Sequence, residues 1–573
     1  MTETVKSYCR LCQAFCGYEV TVEDGRITRL RGDRSDPVSL GYACFKGLRA
    51  AEFIRDEKRL LGPLKRDGTS LAPVDSKRLF QEAGERLARI IAQSGPEAVG
   101  FFVGTQAYFN ALATTFTSAF AAALKTPKVF TTMTIDQSAK WIAPARMGDW
   151  QAGSQPFEEA DVWMFAGANP MNTMVAGAGA NLFGFYHPLE KMRRAKSRGM
   201  KLIVIDPRAS ETARLADLHL QVRPGWDSEL AASLLHVVLR EGWIDQDFCR
   251  DYVDGLEALA TALAPFTPEC VAPLAGIAAR DIEAAAAMFA RDGSRGMVGT
   301  GTGPDMSRHS NTAEHLYQLL NVVCGRFPRE GDAIPNPGVL RSKPVPTADV
   351  IPPTREWESS ARTRVNGLGT IRGTMMSAEL TNEMLHEGEG RLRALIVVGG
   401  NPQVALPDQA KAEAALARLD LLVVIDPVLS GTAKLADYVI APKVYYERAD
   451  HTLYLEHMFP RPYAHVTAPV VQPPPGSDVV DEWYALWRLA QAAGIALDID
   501  GFDFQTNQAP STEQLLAHIA RNSALPYEEI ASRGQGAVFA VPEVRVGARR
   551  GQVRFQVFPA DVAREVTGIA AAL

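Results

Sequence analysis

The chain has 573 residues, of which 46% are hydrophobic and 22% charged. That balance suits an ordinary globular protein of several domains and excludes a disordered or fibrous chain. Sixty Lys and Arg against 66 Asp and Glu give a formal net charge of -6, which offers no basic surface for nucleic acid or a membrane.

The N-terminus, MTETVKSYCRLC, has no basic, apolar or twin-arginine leader, and the longest apolar runs, LIVIDP and LLVVIDP, are strand-length. The expectation is a cytoplasmic protein without a membrane span, in which structural disulfides are disfavoured. Four of the seven cysteines nevertheless crowd into the first 44 residues: Cys9, Cys12, Cys16 and Cys44, in the pattern C-x2-C-x3-C-x27-C. A triplet with one distant partner departs from the paired knuckles of zinc sites and suits a [4Fe-4S] cluster better, with zinc or no ligation as the alternatives. Between them, YEVTVEDGRITRLRGD alternates like a hairpin around Asp24-Gly25. Lys46, in Cys44-Phe45-Lys46-Gly47, is either a solvated charge or a bridge from the cluster to an anion behind it. Cys249, Cys270 and Cys324 are isolated and read as buried small hydrophobes.

Next come an amphipathic helix, SKRLFQEAGERLARIIAQSG, and a strand, EAVGFFVG, which open an α/β lobe. An internal repeat follows. DVWMFAGANP (161–170) with KLIVIDPRASETARLADLHL (201–220) matches RALIVVGGNP (393–402) with LDLLVVIDPVLSGTAKLADYVI (419–440). In each copy one strand ends in Asn-Pro and another in Ile-Asp-Pro. The offsets from Asp206 to Thr212 and Asp217 equal those from Asp426 to Thr432 and Asp437. Ligands of parallel α/β sheets bind at the carboxyl ends of the strands, where these residues fall. The matched copies predict two related lobes about a pseudo-twofold axis, although Asn-Pro and Asp-Pro also simply end strands. Arg208, after Asp206-Pro207, suits a phosphate or a guanine edge, and Asp227, in VRPGWDSE, a guanine or ribose donor. Neither a Walker loop nor a strand-linked G-x-G-x-x-G is present.

The cysteine spacing, Cys44-Phe45-Lys46-Gly47, the Asn-Pro pair and IDPRASETARLADLHLQVRPGWD together resemble the molybdopterin oxidoreductases of the dimethyl sulfoxide reductase family. The resemblance implies an α/β fold: a small N-terminal iron–sulfur domain followed by two related α/β lobes around a pseudo-twofold cofactor site. It also implies a [4Fe-4S] cluster and molybdenum or tungsten held by two molybdopterin guanine dinucleotides. Cys9, Cys12, Cys16 and Cys44 match the cluster ligands, and Lys46 the lysine between cluster and pterin. Asn169, Asp206, Arg208, Thr212, Gly225 and Asp227 match positions around the first dinucleotide. Gly400, Asn401 and Asp426 hold the corresponding places in the second lobe. GTGTGPDMSRHSN (299–311) looks like the loop near the metal, where Arg308 and His309 are candidates to orient an anionic substrate or move a proton.

The family's protein-derived metal ligand belongs in KVFTTMTIDQSAKWIAPARMGDW (128–150), which contains no cysteine. Asp136 stands at its offset, as a hard oxygen donor or as the cap of the following helix. Thr134 and Ser138 are the local alternatives. Gln137 stands where formate dehydrogenases carry His, which argues against formate oxidation. His451 and His457 read as packing or surface groups.

The expected domains are 1–62 (iron–sulfur), 63–155 with 375–490 (second-pterin lobe), 156–345 (first-pterin lobe), 346–374 (a linker) and 491–573 (a C-terminal extension). The family's closing C-terminal domain is expected to be missing, through truncation or because a partner subunit carries it. The function read from this is a molybdenum- or tungsten-dependent oxidoreductase acting on a small molecule and exchanging electrons with a partner protein. The competing reading is a metal-free electron-transfer or scaffold subunit, like the large iron–sulfur subunit of complex I.

Overall fold

The computed structural model describes residues 1–178, 181–504 and 508–573. Strands Thr2–Tyr8, Gly17–Glu23 and Arg26–Gly32 form an antiparallel sheet at the N-terminus. Asp24 and Gly25 both lie in the left-handed region, the two-residue turn that matches strand twist. The alternation has its expected effect, with Val20, Val22, Ile27 and Leu30 on one buried face.

Two parallel sheets carry the repeat. The first runs Leu218–Leu220, Lys201–Ile205, Val162–Ala166, Val298–Thr300. The second has Tyr438–Ile440, Leu421–Ile425, Ala394–Val398 and Val99–Val103 in the same order, extended by Val129–Thr131 and, at the other edge, by the antiparallel hairpin Leu64–Asp67 and Ser70–Pro73. The registers coincide residue for residue: Ala166 pairs with Ile205 and Thr300, as Val398 pairs with Ile425 and Val103. The second sheet is covered on both faces. Ile396, Val398, Val423 and Ile425 pack under helices Ser76–Ser94, Ala111–Leu124 and Glu482–Ala492, while Leu395, Val397, Leu422 and Val424 face helix Gln409–Ala417. Continuous apolar runs are what such a doubly covered sheet demands.

Chain segments cross the expected boundaries. Helix Ser138–Met147 and Trp150 lead into the core of the first lobe. Helix Thr512–Ile519 packs on the second lobe, and helix Ala560–Ala570 on the first. The second of these helices is fixed by Arg146, which donates to both Glu565 oxygens (2.9 and 2.6 Å) and lies 3.0 Å from Asp561. The alternating run VPEVRVGARRGQVRFQVFP yields the strand Phe555–Gln556, paired with Val253–Asp254, and bridges at Arg545 and Gly547 to Ala333 and Thr347. Between these pairings Arg554 binds Asp254 and Arg549 the Asp251 carbonyl. Among the described residues no single helix is long and apolar enough to cross a membrane.

Candidate functional site

Cys9 leaves the first strand, and its N–H donates to the Cys16 carbonyl (2.9 Å), closing the loop that carries Cys12. Cys44 precedes the short helix Phe45–Leu48. All four thiols are free. Burial and the neighbouring Cys12 push the Cys9 thiol up to about 12, and burial with Cys9, Cys12 and Cys44 raises Cys16 further. Thiols packed this closely, with Lys46 the cation that opposes them at Cys12, are a donor set that a cationic iron–sulfur centre would stabilise. Among the described residues no three ligating side chains are arranged for a single ion. A Cβ at Gly47 would lie 3.2 Å from the Cys9 Sγ, so Lys46-Gly47 runs directly against the cysteines. Lys46 itself is exposed, and among the described residues no carboxylate lies within ion-pair distance of it.

The repeated residues form two copies of one hydrogen-bonded cradle. Asn169 Oδ1 accepts from the Thr212 hydroxyl (2.6 Å) and N–H (3.3 Å), and Asn401 Oδ1 from those of Thr432 (2.7 and 3.0 Å). Each threonine hydroxyl accepts in turn from the backbone N–H two residues after the asparagine, at Met171 and Gln403. Asp206 accepts from the Arg208 N–H and Asp426 from that of Val428, each closing an Asx turn. Asp217 and Asp437 brace the sheets, accepting from the N–H groups of Leu202 and Leu422 at 2.8 Å.

A third matched pair escaped the sequence reading. Gly301 follows Thr300 and Gly104 follows Val103, and their N–H groups bond the Ala166 and Val398 carbonyls. A Cβ at either would fall 2.1–2.2 Å from a carbonyl oxygen, of Gly167 or Gly399, so only glycine fits. In one lobe this strand follows the repeat, and in the other it precedes it.

The side chains on the cradles differ. In the first lobe Arg208 is exposed and lies 3.3 Å from Glu211, which also accepts from Asn169 Nδ2 (2.7 Å). Gly225, in the left-handed region, leads to Asp227 at the start of helix Asp227–Arg240. Burial and then Glu229 push the Asp227 carboxyl up to about 6. Arg308 donates to the buried Glu229 (2.6 Å) and stacks 4.3 Å over Trp226. Its charge is therefore matched within the first lobe. His309 is the exposed residue preceding helix Ser310–Val323. In the second lobe Gly400, Asn401 and Asp426 line a cavity of about 370 Å3, walled also by Phe53, Tyr445 and Arg448.

Asp136 ends the short helix Met133–Asp136 and does not cap the next one, so the capping reading fails. Its carboxyl is raised by burial, with Gln137 and Lys140 opposing. The Thr134 hydroxyl is held by the Thr131 and Met375 carbonyls and by Ser377, which removes it as a donor. Ser138 is half-buried. Lys140 pairs with Asp305, donates to the Gly301 carbonyl (2.6 Å) and lies 3.9 Å from Glu314. It thus pins the glycine-rich loop to the helix that follows Asp136. Burial raises the Asp305 carboxyl, Lys140 opposing and Glu314 and Asp136 adding to it.

The chain matches the family model described as molybdopterin oxidoreductase over residues 59–477, and that of the molybdopterin oxidoreductase Fe4S4 domain over residues 2–56. It is 27% identical over 521 residues to the F420-dependent formate dehydrogenase 2 subunit alpha of Methanococcus maripaludis, covering 86% of this chain and 71% of that one. A nitrate reductase of Symbiobacterium thermophilum is 26% identical over 471 residues, covering 77% of this chain and 60% of that one. Among solved structures, acetylene hydratase from Pelobacter acetylenicus shares the fold at a TM-score of 0.74 and 20% identity, over 94% of this chain and 74% of that one.

Proposed function

We infer function from one premise: the chain belongs to the molybdopterin oxidoreductase family, with an Fe4S4 domain ahead of the main unit. It is a molybdopterin-dependent oxidoreductase. The finer reading is that two molybdopterin guanine dinucleotides lie on the two cradles, hold molybdenum or tungsten between them, and serve two-electron or oxo-transfer chemistry on a small substrate. The observation that carries it is the residue-for-residue duplication of the Asn–Thr and Asp hydrogen bonds at the carboxyl ends of two sheets.

Once bound, that cofactor supplies the redox chemistry. The protein's part is to bind, orient and balance charge. Gly104, Gly301, Gly399 and Gly400 let the loops at the strand ends pack backbone against backbone, which shapes the cradles. Asn169, Thr212, Asn401 and Thr432 fix the loops that meet them. Arg208 balances phosphate charge, and the Asp227 carboxyl, raised by burial, accepts hydrogen bonds from the N–H groups of a guanine edge. Asp136 is the proposed oxygen ligand to the metal, on a turn fixed by Thr134 and beside the Lys140–Asp305 pair. Lys46 brings positive charge to the cysteine ring on the electron path. An electron-transfer protein or subunit completes the circuit, in keeping with the relative named as an alpha subunit.

The test is metal analysis with a dye-linked redox assay on purified wild type and Asp136→Ala. The reading predicts iron together with molybdenum or tungsten in the wild type, and altered metal spectroscopy with at least about 100-fold lower turnover in the variant. Iron alone would overturn it. Unchanged spectroscopy in the variant would remove Asp136 as a ligand.

A further inference from the structure

Segment 346–374, expected to be a linker, ends in a tight hairpin. Ile371 and Thr374 exchange both backbone hydrogen bonds (2.9 and 3.0 Å) across Arg372 and Gly373, both left-handed at φ 52° and 69°. A non-glycine residue in that conformation is uncommon and directs attention to what its side chain does. The Arg372 guanidinium stacks 4.1 Å over the Trp141 ring, on the helix that follows Asp136. The hairpin is tied to the Asp136 turn: Met375 N–H donates to the Val129 carbonyl (2.8 Å), and the Thr134 hydroxyl donates to the Met375 carbonyl (3.2 Å).

A second element brings two more cations to the same place. Glu456 accepts from the N–H groups of Val339, Leu340 and Arg341 (3.1, 2.8 and 2.9 Å), and so clamps the loop bearing Arg341 and Lys343 against His457. Tyr454, from the same stretch as His457, stacks on Tyr108 with centroids 5.7 Å apart. Tyr108 belongs to the turn after strand Val99–Val103, and Thr105 of that turn shares a 3.0 Å hydroxyl hydrogen bond with Thr132. Arg372 and Arg341 both act on Tyr454, and with Lys343 on His457.

The charges around this space are unbalanced. Arg341, Lys343 and Arg372 are all water-accessible, and among the described residues none has a carboxylate within ion-pair distance. The carboxylates facing them are Glu456, occupied by three backbone N–H groups, and Asp149, raised by burial. Burial and the three cations push His457 down to about 4, leaving a neutral imidazole. Arg308, the sequence-level candidate for this role, is already paired with Glu229.

We propose that Arg372, Arg341 and Lys343, gathered around His457 and the Tyr108–Tyr454 stack, form the recognition site for a small anionic substrate, a carboxylate or an oxyanion, on the side where the Arg372 hairpin is tied to the Asp136 turn. This deepens the reading above and rests on it for the reaction, though not for the binding. Planar guanidinium groups on two separate loops are suited to a planar anion with two or three oxygens.

Calorimetric titration of the purified protein with nitrate and with acetate tests it, with metal content measured on the same sample and acetamide as a neutral control. The proposal predicts that at least one anion binds and acetamide does not. It also predicts that Arg372→Gln and the double variant Arg341→Gln/Lys343→Gln each weaken binding roughly tenfold or more, while Arg372→Lys keeps most of it. Preference for acetate or nitrate distinguishes carboxylate from oxyanion. Equal binding of acetamide, or variants that keep their melting temperature and bind the anion like wild type, overturns it. Anion binding in protein lacking molybdenum and tungsten would uphold this site and overturn the metal reading instead.

Discussion

The two lobes share a skeleton and differ in what they mount on it. Strand order, register, the Asn–Thr lock, the Asx turn and the bracing aspartate coincide, whereas Arg208 becomes Val428 and Glu211 becomes Gly431. The first lobe presents ionic side chains at an open edge: Arg208, and Arg308 joined to Glu229. The second encloses a cavity in which the charged Lys443, Arg448 and Glu482 are set among the aromatic walls Phe53 and Tyr445. The lesson is that the duplicated part is the one that shapes backbone, and the divergent part is the one that selects what touches it. Geometry that must be met twice is kept twice, while charge is set locally.

The close approaches of Gly104 and Gly301 are the severest test of that equivalence. Alanine at either site drives a Cβ into backbone, which cannot rotate away as a side chain can. Each substitution should cost about 3 kcal/mol or more, read by urea denaturation, with similar losses in the two lobes. A cost at one site only would mean that the lobes are not mechanically alike.

Asn169→Ala and Asn401→Ala come next. Each leaves a buried threonine hydroxyl and a backbone N–H without their acceptor, at about 2 kcal/mol apiece. Because Asn169 also reaches the exposed Glu211, its loss should exceed that of Asn401 only slightly. Thermal melts of both variants would show it.

Asp227 sharpens the difference between the lobes, since at the same offset the second carries the buried Glu447, which is paired with Arg59, whereas among the described residues Asp227 has no ion pair. Its folded pKa of about 6 lies above the ordinary carboxyl value, so its stabilising contribution is full below about pH 4 and is lost as pH rises through 6. In cofactor-depleted protein, Asp227→Asn should therefore be more stable than wild type at pH 7, by up to about 2 kcal/mol. The advantage should vanish near pH 4. Melting curves at the two pH values give the answer.

Much of this was legible in the chain itself. Apolar runs ending in Asn-Pro and Ile-Asp-Pro mark buried parallel strands and their carboxyl ends, and equal offsets reveal the duplication without any coordinates. The hairpin turn at Asp24-Gly25 and the helix begun at Ser76 follow from local chemistry alone. What stayed hidden depends on segments far apart in sequence. Gly104 and Gly301 are equivalent only because strands before and after the repeat insert at the same sheet position. The pairing of Arg308 with Glu229 spans 79 residues, so no local pattern shows that this arginine is already neutralised. Arg372 sits in a proline- and arginine-rich stretch that reads as a connector, and its strained turn appears only once Trp141 is packed beneath it.

The central claim is that both lobes hold a dinucleotide. Acid hydrolysis of the purified protein, with released GMP counted against molybdenum or tungsten, tests it most directly. Two matched cradles predict two GMP per metal. One GMP per metal, or none, would contradict the account and leave the second cradle as a structural echo of the first.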